Sequence, residues 1–488
     1  MIDELRQQRL KKLEALKKAG VNLYGSGFAV THTAAAIRAN FREKEKVSIA
    51  GRIMALRSHG KSMFGDLKDS TARIQFYVKR DSAEEGVFSA WEKLDVGDIV
   101  GMEGELFLTH TQEPTILLSR VEILAKGIRT LPEKWHGLKD VEIRYRKRYL
   151  DLIVNDKVKE VFILRSKIVK GIRDFLDGRG YLEVETPMMH PIAGGAAGKP
   201  FKTHHDALGM DLFLRIAPEL YLKKLLVGGL DKVYEINRSF RNEGISTRHN
   251  PEFTMLEVYT AYADYRDIMK LVRDIIVHIS DEIFGKREIV FNDTKIDLNS
   301  WQELSFSQLI QERFDIRPED DESEWLKKLK KKGIKLELKD GKISRSFILN
   351  LISDLIEIKS SHPVFVTDIY TELCPLAKKK KDNPFLSERF ELFIGGMEVA
   401  NAYSELNDPL EQNERFLIQA KEEKDAKIDD SFVEALEYGM PPAGGLGIGI
   451  DRLVMLFTNQ ASIKDVILFP QLKREIDSSG QEQTDELE

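Results

Sequence analysis

The chain has one cysteine, Cys374, in 488 residues. A lone thiol excludes an intramolecular disulfide and suits a reducing compartment, so a cytoplasmic location is expected. No run of about twenty uncharged apolar residues occurs, and no membrane span is expected. The N-terminal stretch MIDELRQQRLKKLEALKKAG is charged throughout and has none of the apolar core of a signal peptide. The G-x-x-x-x-G-K-[ST] loop is missing, which sets aside ordinary P-loop nucleotide chemistry. Positive charge is not in excess either. The formal net charge is -6, so nucleic-acid binding would have to rest on local patches.

What is present, 42% hydrophobic and 32% charged residues, fits a globular enzyme of two or three domains. Leu5, Leu10, Leu13 and Leu16 among Lys and Arg predict an amphipathic helix ending near Gly20. Such a helix would lie on the next domain, or its basic face would touch RNA. From Val47 to Leu124 the pattern is short strands: VSIAGRIMALR, SMFGDLKD, ARIQFYVK, DIVGMEGELFLT and TILLSRVEIL. Gly60, Asp69-Ser70 and Gly97-Asp98 break them. Strands in this number and spacing fit a Greek-key barrel of the oligonucleotide-binding (OB) type. Phe64, Phe76 and Tyr77 are candidate stacking aromatics, with Arg52, Arg57, Lys61 and Lys68 as nearby cations.

A connector, LPEKWHGLKDVEIRYRKRYLDLI, clusters Arg144, Arg146, Lys147 and Arg148, a solvated face or an RNA contact. Residues 150–475 mix helices and strands too closely spaced for a regular βαβ series, an α+β pattern. Val158–Gly178 reads as a helix with Val161, Leu164, Ile168, Ile172 and Phe175 on its apolar stripe. Residues 316–341, with RPEDDESEWLKKLKKKG, read as a solvated insertion, and 475–488 as a frayed acidic tail.

Three constellations carry chemistry. In the first, Lys232–Arg241 and Phe253–Ala261 read as paired strands. Period-2 alternation puts Glu235, Asn237, Ser239 and Arg241 on one face, with Phe253, Met255, Glu257 and Tyr259 on one face of the next strand. Together with Glu243, His249 and Asn250, this suits a nucleoside triphosphate, since the planar fork of Arg can take two phosphate oxygens at once. The second is RFELFIGGME, where Gly395-Gly396 signals a two-residue turn that pairs Ile394 with Met397 and Glu391 with Ala400. Glu398 then lies diagonally across from Glu391, and two close carboxylates call for a cation such as magnesium on triphosphate. Asn401, Tyr403 and Glu405 fall on the opposite face unless a bulge intervenes near Val399-Ala400. In the third, Gly444 to Arg452, glycines open a helix-like LVMLF segment and could cradle phosphate or simply permit close packing.

These segments resemble class II aminoacyl-tRNA synthetases: GYLEVETPMM as motif one, Phe240-Arg241-x-Glu243 through Phe253 as motif two, Gly447–Arg452 as motif three. The barrel is similar to the anticodon-binding domain of the lysine, aspartate and asparagine subclass. RSHGK, RIQFYV, APELYLK, RNEGISTRHNPEFTMLE and NAYSELNDP look like its lysine-specific members.

The resemblance implies an α+β fold, an antiparallel-sheet catalytic domain preceded by a five-stranded OB-fold barrel. It divides the chain into 1–30 (helix and lead-in), 31–130 (anticodon-binding barrel), 131–150 (linker), 151–475 (catalytic domain with an insertion near 300–345) and 476–488 (flexible acidic tail). It further implies ATP-dependent attachment of L-lysine to tRNA(Lys) through an adenylate, in a homodimer. Arg241, Arg452 and His249 would be catalytic. ATP would be held by Arg241, Glu243, His249, Asn250, Phe253 and Arg452, with adenine between Phe253 and Arg452, and Mg2+ by Glu391 and Glu398. Gly195 and Glu219 would meet the α-amino group of lysine, and Glu405 and Tyr259 its ε-ammonium, with Arg241, Glu257, Asn401 and Tyr403 completing the pocket. Phe64 and Gln75 would stack on and read the anticodon. A long cationic side chain does require a buried anion at the pocket's end, and Glu405 supplies one. A protein-modifying lysine ligase would lack the barrel, and an inactive RNA-binding relative should be eroded at Arg241, Glu398 or Arg452; neither description fits.

Overall fold

The computed structural model describes residues 2–59, 62–79, 93–132, 138, 140–196, 198–334, 344–422 and 428–473. Lys61, the tail from 476 and parts of the connector and insertion therefore lie outside the described residues. The chain divides into two compact units, Met1–Lys139 and Asp140–Glu488.

In the first unit, strands β1 (Lys46–His59), β2 (Ser62–Lys68), β3 (Arg73–Lys79), β4 (Ile99–Leu108) and β5 (Pro114–Ala125) close a barrel in the order β1-β2-β3-β5-β4. Closure leaves no unpaired strand edge. Alternation sends Ile49, Ile53, Leu67, Ile74, Phe76, Val78, Val100 and Met102 inward. Phe76 is thus core, not platform. Helix α1 (Ile2–Lys18) adds Leu13 and Leu16 to that core. Two of its cations face the barrel: Arg9 donates to Val96 O (2.9 Å) and Arg129 O (2.8 Å), and Lys12 pairs with Asp95 at 2.9 Å. The helix lies on its own unit, and Arg9 and Lys12 are spent there.

The second unit is built on an eight-stranded sheet. Its elements include α2 (Asp156–Asp177), β6 (Leu182–Glu183), α3 (Glu219–Val227), β7 (Lys232–Phe240), β8 (Glu252–Ala261), α4 (Tyr265–Ile279), β9 (Gln302–Ser305), α5 (Phe306–Phe314), α6 (Glu322–Lys331), α7 (Arg345–Ser353), β10 (Val364–Thr367), β11 (Arg389–Ile394), β12 (Met397–Ser404), β13 (Ala443–Gly449) and α8 (Ile450–Thr458). The strand order is β9-β10-β11-β12-β13-β8-β7-β6, with antiparallel pairings throughout except at the two edges, where β9 and β6 run parallel to their neighbours. One face packs on α2, α4 and α8 through Ile168, Ile172, Val272, Ile276, Val454 and Met455. The other face carries the polar side chains of the site.

Three expectations are corrected. Glu391 stands opposite Asn401, not Ala400, because Val399 is inserted as a bulge between Glu398 (opposite Phe393) and Ala400 (opposite Leu392). Ile394 does pair with Met397, across a turn in which Gly395 and Gly396 have φ of +59° and +73°. The stretch 316–334 is not a solvated loop. Its residues form α6, capped by Asp321, and bury Trp325 and Leu329 against Ile310, Phe314, Ile348 and Tyr370. The three connector arginines have partners within the chain, while Lys147 is exposed. Arg148 is fully buried and donates to Lys464 O (2.7 Å) and Leu468 O (3.1 Å) besides pairing with Asp151 at 2.9 Å. Arg144 pairs with Asp151, and Arg146 with Glu142.

Candidate active site

The hairpin β7–β8 forms in the expected register, with Glu235 opposite Glu257, Asn237 opposite Met255 and Ser239 opposite Phe253. Next to it β13 pairs on both sides, with β8 and β12. The close packing that the glycine-rich segment permits is realised at Gly445. A Cβ on Gly445 would stand 1.9 Å from Glu405 Oε1 and 2.7 Å from a Tyr259 ring carbon. Asp451, at the start of α8, fixes this junction by accepting from Thr254 N (2.7 Å) and Arg165 (2.6 Å).

These strands floor a cavity of about 1160 Å³. Gly195, Glu219, Arg241, Glu243, His249, Asn250, Phe253, Glu398, Asn401, Tyr403 and Arg452 all line it. One end is cationic. Arg241 is mostly buried, which lowers its pKa, and its Nε has no hydrogen-bond partner among the described residues. Its guanidinium carbon lies 5.3 Å from the centre of the Phe253 ring. Arg452 donates to Glu398 O (2.8 Å) and Oε2 (3.2 Å), and reaches His249 Nε2 at 3.3 Å. Burial, with Arg452 next, lowers the His249 pKa. The neutral ring accepts from Arg452 at Nε2, and its Nδ1–H then points to Ser246 Oγ at 3.0 Å. Arg241, not Arg452, faces the Phe253 ring. Asn250 commits its amide to the backbone, donating to Glu252 O (2.6 Å) and accepting from Gln471 N (3.3 Å).

Glu391 and Glu398 share a face, as expected for a cation site. Burial and then Arg389 (lowering) and Glu398 (raising) act on Glu391, with a net upward shift. Arg389 pairs with Glu391 at 2.7 Å and donates to Asn401 Oδ1 at 3.1 Å. Among the described residues no group of three or more His, Cys, Asp or Glu could hold a metal by itself. Two neighbouring carboxylates fit a hard dication that draws its remaining oxygens from a phosphate ligand.

The other end is anionic. Glu219 accepts from Tyr403 Oη (2.6 Å) and Lys223 Nζ (2.6 Å), and Lys223 also pairs with Glu405. Tyr259 donates to Glu257 Oε2 at 3.1 Å. Glu257, Tyr259 and Glu405 are not on the cavity wall. They lie buried behind Glu219, Asn401 and Tyr403, with Glu405 Oε1 unpartnered among the described residues. Burial, chiefly, pushes Glu257 up to about 8, and burial also raises Glu405 against the opposing pull of Lys223. Sequence reasoning missed Lys223 and Arg389. The first was findable, since Glu219 and Lys223 stand four apart at the start of a helix.

In the barrel unit, Phe64 and Tyr77 are cross-strand partners with ring centres 4.5 Å apart, and Phe107 lies 6.0 Å from Tyr77. Gln75 accepts from Thr115 Oγ1 at 2.9 Å. These half-buried rings form a patch on the outside of the barrel.

Two family models match: tRNA synthetases class II (D, K and N) over residues 140–473, and the OB-fold nucleic acid binding domain over 47–124. Among similar proteins, the lysine–tRNA ligase of Carboxydothermus hydrogenoformans is 54% identical over 97% of this chain and 98% of its own. That of Moorella thermoacetica is 49% identical over 96% and 98%, and that of Fusobacterium nucleatum 50% identical over 96% of each.

Proposed function

The chain belongs to the class II tRNA synthetases (D, K and N), and from that premise we propose how its residues carry out the ATP-dependent attachment of L-lysine to tRNA(Lys). The supporting observation is the charge arrangement of the cavity. At one end two carboxylates, Glu219 and Glu405, share a single cation, Lys223, and leave net negative charge for a substrate with two ammonium groups. At the other end Arg241, Arg452 and His249 await a triphosphate.

The reaction is two displacements. The lysine carboxylate attacks the α-phosphorus of ATP and pyrophosphate leaves. A terminal ribose hydroxyl of the tRNA then attacks the acyl carbon of the adenylate, and AMP leaves. Both nucleophiles are substrates, so the protein contributes position and charge. Arg241 spans the α-phosphate and the lysine carboxylate with its fork, holding two anions that otherwise repel. Glu243 takes the adenine amino edge, Phe253 stacks on the ring, and Arg452 and His249 neutralise the distal phosphates, with Arg452 leaving Glu398 to close over adenine. Asn250 holds the loop that carries His249. Glu391 and Glu398 would hold magnesium, which neutralises triphosphate oxygens. Glu219 and the Gly195 backbone take the α-amino group; Glu405 and Tyr259, flanked by Glu257, Asn401 and Tyr403, take the ε-ammonium.

Phe64 stacks on the central anticodon base and Gln75 reads it, with each stacked base worth about 1–3 kcal/mol. Leu182, Met188, Met189, Leu208 and Met210 are exposed apolar side chains in and near the motif-one segment. They support a homodimer, which light scattering would report as twice 55.9 kDa. No helix among the described residues is long and apolar enough to cross a membrane. Together with the single buried cysteine, this supports a cytoplasmic enzyme.

ATP–pyrophosphate exchange with each of the twenty amino acids tests the assignment. Exchange that depends on lysine alone is expected. Exchange with aspartate or asparagine would keep the chemistry and overturn the pocket.

A further inference from the structure

Lys223 has no part in the roles just assigned, yet no cation in the site is more enclosed. It is fully buried on α3, four residues after Glu219. Its ammonium contacts Glu219 Oε1 at 2.6 Å and Glu405 Oε2, with the Tyr403 and Phe432 rings closing other sides at 5.5 and 5.9 Å. An ordinary structural ion pair needs one carboxylate. This lysine joins the two carboxylates that the reading above gives to opposite ends of the substrate.

Building on that reading, we propose that Lys223 is a specificity-determining positioning residue: it takes one oxygen of Glu219 and one of Glu405, so that the pocket accepts an ammonium and turns away a guanidinium. The argument is about oxygens. Glu219 Oε1 already serves Lys223 and the Tyr403 hydroxyl. Neither Glu405 oxygen has a hydrogen-bond partner among the described residues, but Oε2 is held in the ion pair with Lys223, which leaves Oε1 as the oxygen without a cation. That oxygen sits over Gly445, where even a methyl group would be 1.9 Å away. The carboxylate is therefore gripped from both sides and cannot turn both oxygens toward one ligand. An ammonium is a point charge with rotatable donors, and one carboxylate oxygen with the nearby Tyr259 hydroxyl can serve it. A guanidinium is a rigid fork whose strong pairing with carboxylate uses two parallel bonds. In this pocket one tine would be buried without an acceptor. Arginine, of similar length and the same charge as lysine, is the natural amino acid that a merely anionic pocket would admit.

The test is ATP–pyrophosphate exchange by the full-length protein with magnesium, comparing kcat/KM for lysine and arginine in the wild type, Lys223→Met and Lys223→Gln. Removing the cation should release Glu405 Oε2, and the lysine-to-arginine ratio should fall at least about tenfold while the KM for ATP stays unchanged. A merely structural role would lower both amino acids together and leave the ratio where it was, and that result overturns the inference. Melting curves identify which variants fold, and Gln, which keeps N–H donors without the charge, carries the comparison if Met does not. Wild-type exchange with arginine within about tenfold of lysine would overturn the inference without any variant. Wild-type protein with no lysine-dependent exchange would instead sink the parent reading.

Discussion

Gly445→Ala puts the lysine pocket under the sharpest strain available from one methyl group. The new Cβ would fall 1.9 Å from Glu405 Oε1 and 2.7 Å from the Tyr259 ring, where unstrained contacts lie beyond 3.4 Å. The strand cannot withdraw, because Gly445 is paired with Tyr259 on one side and Tyr403 on the other. The carboxylate must therefore shift by more than an ångström, enough to break a hydrogen bond of ordinary length, about 2.7–3.2 Å. A hydrogen bond to a charged group contributes about 1.5–3 kcal/mol, which translates to roughly a tenfold to hundredfold loss in kcat/KM for lysine. Overpacking a well-filled site should also cost about 1–3 kcal/mol of stability. The assay is pyrophosphate exchange at varied lysine and saturating ATP, then the reverse, with a melting curve alongside. The KM for ATP should hold, because the new Cβ would meet Glu405 and Tyr259 and none of Arg241, Glu243 and Phe253. A variant with wild-type lysine kinetics would refute the placement of Glu405 at the ε-ammonium.

Three further outcomes are expected. Glu257 is held up to about 8 by burial, so between its unfolded value near 4.5 and that pH the folded state holds a proton the unfolded state has lost. Its contribution to stability is complete below 4.5 and fades as pH rises through 8; melting temperatures across this window should show that loss, and Glu257→Gln should flatten it. Arg241→Ala should lower the exchange rate by several kcal/mol of transition-state stabilisation, about a hundredfold or more, and Arg241→Lys should restore little because the second prong is gone. Exchange near the wild-type rate would overturn its assignment. Phe64→Ala should weaken tRNA binding roughly fivefold to a hundredfold by filter retention while leaving tRNA-free exchange untouched, and equal loss in both assays would remove the barrel from the recognition scheme.

The sequence made visible whatever depends on a regular period. The barrel strands and the Lys232–Ala261 hairpin keep a two-residue period over much of their length, so their bounds could be read to within a residue or two and the hairpin's facing residues identified. Irregular backbone could not. A single extra residue at Val399 moved Glu391 from Ala400 to Asn401; the need to bring Glu398 and Asn401 to one face pointed to a bulge near Val399-Ala400, but nothing in MEVANAYS by itself shows that one forms. Composition also misled where charge is dense. RPEDDESEWLKKLKKKG looks solvated, yet its Trp325 stacks under Arg345 at 4.0 Å and donates to Arg317 O at 3.0 Å, because neighbouring α5 and α7 bring an apolar floor that the segment does not announce. Arg144 and Arg148 likewise resembled an RNA-facing patch, but their partners are carbonyls and a carboxylate that only the fold brings near.

The bulge and the glycine strand solve one geometric problem together. On the reading proposed above, strand β12 presents Glu398 to the triphosphate end and Asn401, Tyr403 and the following Glu405 to the amino-acid end, but an odd spacing of three between Glu398 and Asn401 would put them on opposite faces. Val399 absorbs the odd residue and restores one face, and the Glu398 carbonyl at the bulge takes up the Arg452 guanidinium. Lining both ends with large polar side chains on one strand then leaves no room above its neighbour at Gly445, whereas Gly444, on the other face of β13, makes room for Ile268 of α4, 2.4 Å from where its Cβ would stand. The Cβ positions of Gly445 and Gly447 would meet Glu405, Tyr259 and Met255. A run of glycine is costly in strand entropy and would be hard to account for in an ordinary core. Here it is the space into which the pocket's carboxylate folds.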